Sequence, residues 1–417
     1  MTSAPRKVAA LTSEAAAARW LLSAGAVRQR ADAMLARAER GDSAHFVYRP
    51  ARLRPTIGIV IDTIRANYPS LAIPFHSRWR HFEVGGKDRW AGLSARTAGD
   101  AAERARIRFD LAISSVLLDA GAGPRWSYRA ADGARYTRSE GLGLASFEMF
   151  SHGLFSADPA DPLRCDAAAL LTLDRDRLAQ AMQVADANPL AGLDGRLSLL
   201  IQLGRTLTAN PRHFGTPGRI GNLFDFLREQ ASERRLPAGQ VLQAVLDAFG
   251  PIWPGRHSLA GVPLGDAWPH PAFAGDDAGM GFVPLHKLSQ WLSYSLIEPL
   301  EEAGIEVTEL DELTGLAEYR NGGLMIDAGL IEPRDPQLTR VTLQAASEAV
   351  VEWRSLTVAL LDRVATGVRE RLGKDARSLP LARVLEGGTW AAGRRLARER
   401  RADGGPPLAI ASDGTLF

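Results

Sequence analysis

The strongest constraint on the fold is a long run of helical spacing toward the end of the chain. Between Pro336 and Gly373, residues 337–372 place Leu338, Val341, Trp353, Leu356, Leu360, Val364 and Val368 near a period of 3.6. Other segments share that period. Residues 8–40, rich in Ala, Leu and Arg, contain no proline and a single glycine, and predict one or two helices. Residues 104–119 align Ile107, Leu111 and Leu118 on one stripe, with Gly121 as a stop. Residues 174–187 and 194–208 predict a helix pair broken at Asn188-Pro189.

Strand signals are sparse. Residues 126–138 flank Asp132-Gly133 and residues 315–330 flank Asn321-Gly322, so each predicts a hairpin. Strands and helices do not alternate as a parallel sheet requires. The expectation is a mainly α fold with two small β-hairpins. One large helical domain would span 1–402, with lobes 1–140 and 141–402 as a further subdivision. Residues 403–417 read as a tail, whose Leu416-Phe417 end could dock on the body.

Composition excludes several functional classes. Fifty Lys+Arg against 48 Asp+Glu leave a net charge of +2, which argues against nucleic-acid binding through a strongly basic surface. The single cysteine, Cys165, excludes an intramolecular disulfide and any multi-cysteine metal site. No signal-peptide core and no run long enough for a membrane span is visible, so a cytoplasmic protein is expected. The usual metalloprotease, nucleophile-elbow, Walker and dinucleotide motifs are missing. No metal or redox cofactor is expected.

Three segments concentrate aromatic rings and fixed charges. The first, residues 77–90, holds Arg78, Arg80, His81, Lys87 and Arg89 among Trp79, Phe82 and Trp90, with Gly85-Gly86 allowing close backbone approach. Guanidinium forks suit phosphate or carboxylate; the alternative is a solvated loop with its tryptophans tucked into the core. The second, residues 253–271, presents Arg256, His257, Asp266, Trp268 and His270. A carboxylate against an aromatic wall would be desolvated and a better base, whereas a capping Asp would be structural. The third, residues 284–300, puts Lys287, Gln290, Trp291, Tyr294 and Glu298 within an arc of about 100°, opposite Leu285, Leu288, Leu292 and Leu296. Such a face lines a ligand or makes a helix contact with snorkelling ends. Glu140 and the Gly221-Asn222 turn are weaker candidates. Cys165 reads as a packed thiol rather than a nucleophile.

Several of these stretches carry a family resemblance. FDLAISSVLLDAGAG (109–123), SRWRHFEVGGKDRW (77–90), WPGRHSLAGVPLGDAW (253–268), VPLHKLSQWLSYSLIEPLE (283–301) and SDGTLF (412–417) resemble the uracil-catabolism (Urc-type) family over nearly the whole chain. A more distant likeness is to the queuosine-salvage nucleosidases, helical proteins of DNA-glycosylase-like fold. It rests on the order of GLGLASFEMF, the 174–208 pair, GRIGNLFDFL, Gly265-Asp266-Ala267-Trp268 and His286-Lys287-Leu288-Ser289-Gln290. Asp266 matches the first acidic motif of that group and Gln290 a glutamine of the second. The second acid has no equivalent near Leu285-His286.

The resemblance implies an N-glycosidase of uracil breakdown that releases urea from a ribosyl- or phosphoribosyl-urea. Asp266 would stabilise the oxocarbenium-like state and activate water. Lys287, His286 or Glu140 would orient the sugar hydroxyls or help protonate the leaving group. Arg78, Arg80, Lys87 and Arg89 would hold a 5′-phosphate where the substrate carries one, Trp79, Trp268 and Trp291 would wall the pocket, and His81 and Gln290 are further substrate-binding candidates. The expected partner is this small molecule, with no nucleic acid or membrane. A homo-oligomer or association with other enzymes of uracil breakdown remains compatible. The alternatives are a ureido or amide hydrolase of the same pathway, acting through a metal or Cys165, and a non-enzymatic nucleotide-binding partner.

Overall fold

A computed structural model describes residues 14–97, 99–253, 257–275 and 279–411. Arg256 and the closing SDGTLF, with Leu416 and Phe417, lie outside the described residues. Among the described residues the long helices are α1 (Glu14–Leu21), α2 (Ala24–Glu39), α3 (Leu53–Asn67), α4 (Ala101–Leu117), α5 (Arg138–Ser151) and α6 (Leu193–Ala209). They continue with α7 (Leu223–Gln230), α8 (Ala238–Phe249), α9 (Lys287–Glu302), α10 (Tyr319–Asp327), α11 (Glu348–Leu372) and α12 (Trp390–Arg400). All the sheets described are two-stranded. The mainly α expectation holds. No described helix is long and apolar enough to cross a membrane.

The packing follows the apolar periodicity. In α2, Val27, Ala31, Met34, Leu35 and Ala38 form one buried stripe, and the Oγ of Ser23 caps the helix by accepting from Ala26 N. That stripe meets α11, which also packs on α3 and α10. Helix α9 lies between α4 and α8. One hydrophobic cluster therefore runs from Ala24 to Leu408, joining early and late parts of the chain. The strand Phe46–Tyr48 likewise pairs antiparallel with Ile331–Pro333.

The first predicted hairpin is present, with Tyr128 opposite Tyr136 and Arg129 opposite Arg135. Gly133 takes the positive φ its turn needs, and Asp132 Oδ1 accepts from Ala134 N. The second predicted hairpin is instead helix α10. Glu318 overrides the Asn-Gly turn signal by capping: its two oxygens accept from the amides of Arg320 (2.7 Å) and Asn321 (2.6 Å). Gly322 then serves packing. Its carbonyl accepts from Trp353 Nε1, and a Cβ there would lie 2.6 Å from the indole.

The long candidate helix is shorter than its pattern. Residues Pro336–Thr339 form a 3-10 turn and Thr342–Leu343 a strand before α11 begins. That strand pairs in parallel with Ala409–Ile410, so the C-terminal segment is docked, with Leu408 in the core.

Replacing Gly322 with alanine forces a methyl into the Trp353 ring. Chemical denaturation should show G322A destabilised by about 1–3 kcal/mol. Unchanged stability would show that α10 can shift away from α11.

Candidate active site

Helices α5, α9 and α10 bring their N-terminal ends to a cavity of about 350 Å³. Arg138, Ser139 and Leu142 enter from α5, Lys287 and Trp291 from α9, and Glu318 and Tyr319 from α10. The turn after α4 contributes Asp119 to Pro124. Trp390 of α12, the pair His76 and His81, and the docked segment from Asp403 to Ile410 complete the wall. Helix N-termini carry partial positive charge, so this convergence favours an electron-rich ligand.

Asp119 is one of three carboxylates that line the cavity, with Glu318 and Asp403. It is buried, two residues beyond the end of α4, and Arg78 Nη1 pairs with its Oδ1 at 2.9 Å. Arg78 is wholly buried and is held on several sides. Its Nε donates to Ser115 Oγ (2.6 Å), and its backbone N donates to Ser295 Oγ (2.9 Å). Burial lowers its pKa, and Asp119 opposes that shift.

Lys287 stands across the cavity with 7% exposure, its ammonium 5.3 Å from the centre of the Trp291 ring. Burial pulls its pKa below the ordinary lysine value, while the carboxylates of Asp119 and Glu318 oppose the shift. His81 is held neutral: burial pushes its pKa well down, and Arg78, His76, Arg394 and Lys287 add repulsion. His76 Nδ1 contacts Glu386 Oε2 at 2.7 Å. That glutamate sits on the π turn Leu385–Thr389. The His81 ring meets Trp291 edge-on at 5.6 Å and Trp390 at 6.5 Å. Arg78 Nη2, His81 Nδ1 and Trp291 Nε1 are buried here with no hydrogen-bond partner, and Asp119 Oδ1 has only its ion pair with Arg78. Such atoms mark a place where a ligand supplies the missing partners.

The sequence candidates divide sharply. His81, Lys287 and Trp291 line the cavity, and Arg78 stands behind Asp119. Glu140 lies in an adjoining recess, where Arg394 Nη1 donates to it at 2.6 Å. The expected phosphate cluster does not assemble. Arg80 pairs with Glu83 and Glu298, Lys87 with Asp132, and Arg89 donates to the carbonyls of Phe82 and Val84. Each finds a nearer acceptor in its own fold. Gly85 approaches Tyr136 rather than a ligand, and Gly221 packs on α4, donating to Asp110. Trp79 is a core residue whose Nε1 donates to Ser295 O beneath the Arg108 guanidinium.

Asp266 is also corrected. Arg354 grips both its oxygens at 2.8 and 2.7 Å, Trp268 Nε1 donates to Oδ1, and Lys287 N donates to Oδ2. Burial alone would raise its pKa, but Arg354, Trp268 and His286 outweigh it and hold the carboxyl well below the usual range. The expected rise is therefore reversed, and Asp266 is a structural cap of α9 away from the cavity wall. Trp268 is its partner. His286 is tied through Nε2 to Leu21 O, and the Oε1 of Gln290 accepts from Thr314 N. The remaining polar face of α9 is buried too: Tyr294 donates to Thr314 O, and Glu298 accepts from Ser77 and Arg80. Cys165 is a core thiol whose pKa burial pushes well up.

Asp119, His76, Glu318, Tyr319 and Trp390 were missed. Asp119 carried a signal, because a carboxylate just past a helix C-terminus opposes the helix dipole and needs a reason to be there. Glu318 and Tyr319 were hidden inside the misassigned hairpin.

A buried carboxylate, a buried lysine and two indoles thus surround one cavity of a helical scaffold. The chain belongs to the family described as "Protein of unknown function (DUF1688)", whose model matches residues 20–417. It is 38% identical over 411 residues to "Uracil catabolism protein 4" of Lachancea kluyveri, covering 90% of this chain and 93% of that one. It is 40% identical over 407 residues to "Protein urg3" of Schizosaccharomyces pombe, covering 95% and 98%. The Urc-type resemblance of the sequence motifs is thereby borne out.

Asp266 should respond to the loss of its charge as a structural group does. Asp266→Asn leaves Arg354 without its carboxylate and should lower stability by about 3 kcal/mol in denaturant unfolding. Because the folded pKa of Asp266 is depressed, this contribution is present above its unfolded value near ~4 and fades as pH falls below it. An Asp266→Asn variant as stable as wild type would return Asp266 to consideration as a reacting group.

Proposed function

We propose that this protein acts in uracil catabolism as an N-glycosidase, hydrolysing a ribosyl- or phosphoribosyl-urea to urea and the free sugar. The pathway rests on the relative that bears the name "Uracil catabolism protein 4". The observation that carries the chemistry is a carboxylate, Asp119, sharing one aromatic-walled cavity with a buried lysine, Lys287.

The reaction has two demands. The C1′–N bond breaks with its electron pair on nitrogen, leaving cationic character at C1′, and a water oxygen bonds to C1′. Asp119 faces the developing cation and takes the proton that water loses. Arg78 fixes one carboxylate oxygen, so the other is directed without reorganisation. Lys287, as an ammonium of lowered pKa, gives its proton to the departing urea nitrogen. Trp291 and Trp390 hold the planar ureido group and exclude water, and the free Nε1 of Trp291 and Nδ1 of His81 suit polar atoms of the substrate.

The deciding assay incubates the protein with ribosylurea and with its 5′-phosphate, following urea and reducing sugar together. Equal release of both products is expected, with Asp119→Asn, which also removes the ion-pair partner of buried Arg78, reducing kcat/KM on the order of a thousandfold per molecule that circular dichroism shows to be folded. Ammonia without urea would overturn this in favour of ureido hydrolysis. Binding without product would leave a non-enzymatic role.

Lys287 must be protonated to act, so kcat/KM should fall on the alkaline side, with a midpoint below the ordinary lysine value. Lys287→Met should lose most of the rate and abolish that limb. A limb that survives the substitution would assign the acid elsewhere.

A further inference from the structure

Beside the cavity lies a second recess of about 330 Å³. The two share Pro124, Arg138, Ser139, Tyr319 and Trp390 as common wall, so one ligand can reach both. Their chemistry differs. The first is walled by indoles; the second holds four guanidinium groups, from Arg138, Arg320, Arg394 and Arg398, against the carboxylates of Glu140 and Asp403. Positive charges exceed negative ones by two, a match for a phosphate monoester.

The arginines are built into this arrangement. Arg138 and Arg320 both donate to the carbonyl of Gly404, at 3.1 and 2.9 Å. Glu140 orients Arg394, whose guanidinium lies 5.5 Å from the Trp390 ring centre. Arg320 is only 6% exposed and its Nε has no partner. Burial lowers the pKa of Arg320, and repulsion from Arg138 and Arg394 adds to it, a tension that a bound anion relieves. The N-terminus of α5 opens on the same recess, with Thr137 making no capping bond.

We propose that this recess is a phosphate-monoester subsite, in which Arg138, Arg320 and Arg394 hold the 5′-phosphate of a ribosyl substrate while its C1′ substituent occupies the aromatic cavity. The placement of the substituent rests on the N-glycosidase reading; the phosphate site stands on the recess alone. The expected substrate is thus the phosphoribosyl compound rather than the free riboside.

Calorimetric titration of the full chain with ribose 5-phosphate, ribose and inorganic phosphate tests this. Ribose 5-phosphate should bind at least about tenfold more tightly than ribose, with inorganic phosphate competing. Arg394→Gln and, at the exposed rim, Arg398→Ala should each weaken ribose 5-phosphate several-fold and leave ribose binding unchanged. Circular dichroism confirms folding, and the exposed Arg398 guards against a misfolded Arg394 variant. Equal binding of ribose and ribose 5-phosphate, or no response to either substitution, would overturn the subsite. The two proposals fail separately. Arginine-dependent phosphate binding without urea release sinks the glycosidase and keeps the subsite. Equal kcat/KM for ribosylurea and its 5′-phosphate does the reverse.

Discussion

A guanidinium removed entirely from water is the constraint around which the site is organised. Arg78 cannot be buried without acceptors, since an uncompensated internal cation would cost several kcal/mol. The chain supplies the guanidinium with Asp119 from the turn after α4 and Ser115 from α4 itself, and Ser295 of α9 accepts from the Arg78 backbone N. Helix α5 closes the remaining side: Ser146 Oγ bonds Ser115 Oγ at 2.6 Å, and glycine at position 143 lets the helix approach. A Cβ there would stand 2.8 Å from the Cβ of His81 and 3.4 Å from the guanidinium carbon of Arg78. Holding Arg78 in place therefore ties three helices together, and its carboxylate partner, Asp119, is one that reaches the cavity.

Other aspartates are also paired with buried arginines, Asp110 with Arg219 and Asp266 with Arg354, and comparison with Asp266 shows how such a pair can leave a carboxylate beside a cavity. Asp266 receives two bonds from Arg354, one from Trp268 and one from the amide of Lys287. Its lone pairs are spent on structure, and the result is a capped α9 that projects Lys287 and Trp291 in fixed directions. Asp119 has a guanidinium on one oxygen and the cavity beside it. Pairing that saturates a carboxylate makes a joint; pairing that leaves an oxygen open can make a reagent.

Much of the helical frame was legible because its periods are strong, and the Asp132-Gly133 turn is chemical; the helix expected over 174–187, however, runs only over Arg175–Ala181, well short of Asn188-Pro189. The failures have a common cause. Asn321-Gly322 has the local chemistry of a turn, but Glu318 caps a helix across it and Trp353 requires the glycine there, and only tertiary contacts reveal that. The cationic segment 77–90 advertised an anion site by composition, yet composition does not count acceptors. Arg80, Lys87 and Arg89 meet carboxylates and carbonyls of their own surroundings first. Asp266 misled for the same reason: its neighbour Trp268 was visible in sequence, whereas Arg354, 88 residues away, was not. Lys287, Trp291 and His81 were recoverable because each is a costly residue on an otherwise packed element.

The charge balance shows why bulk composition is silent on the proposed ligand. A net charge of +2 over 417 residues gives no long-range attraction for a polyanion. A small anion needs only local excess, and the recess beside Trp390 supplies it. Its arginines come from α5, α10 and α12, and two of them close on Gly404 of the docked C-terminal segment. That segment is in turn held by the parallel pairing of Ala409–Ile410 with Thr342–Leu343 and by the burial of Leu408. Guanidinium groups brought together repel one another, so the fold must restrain them, through the Gly404 carbonyl and through Glu140, which holds Arg394. This restraint leaves an excess of positive charge in the recess, which is why the proposed subsite would take a dianion.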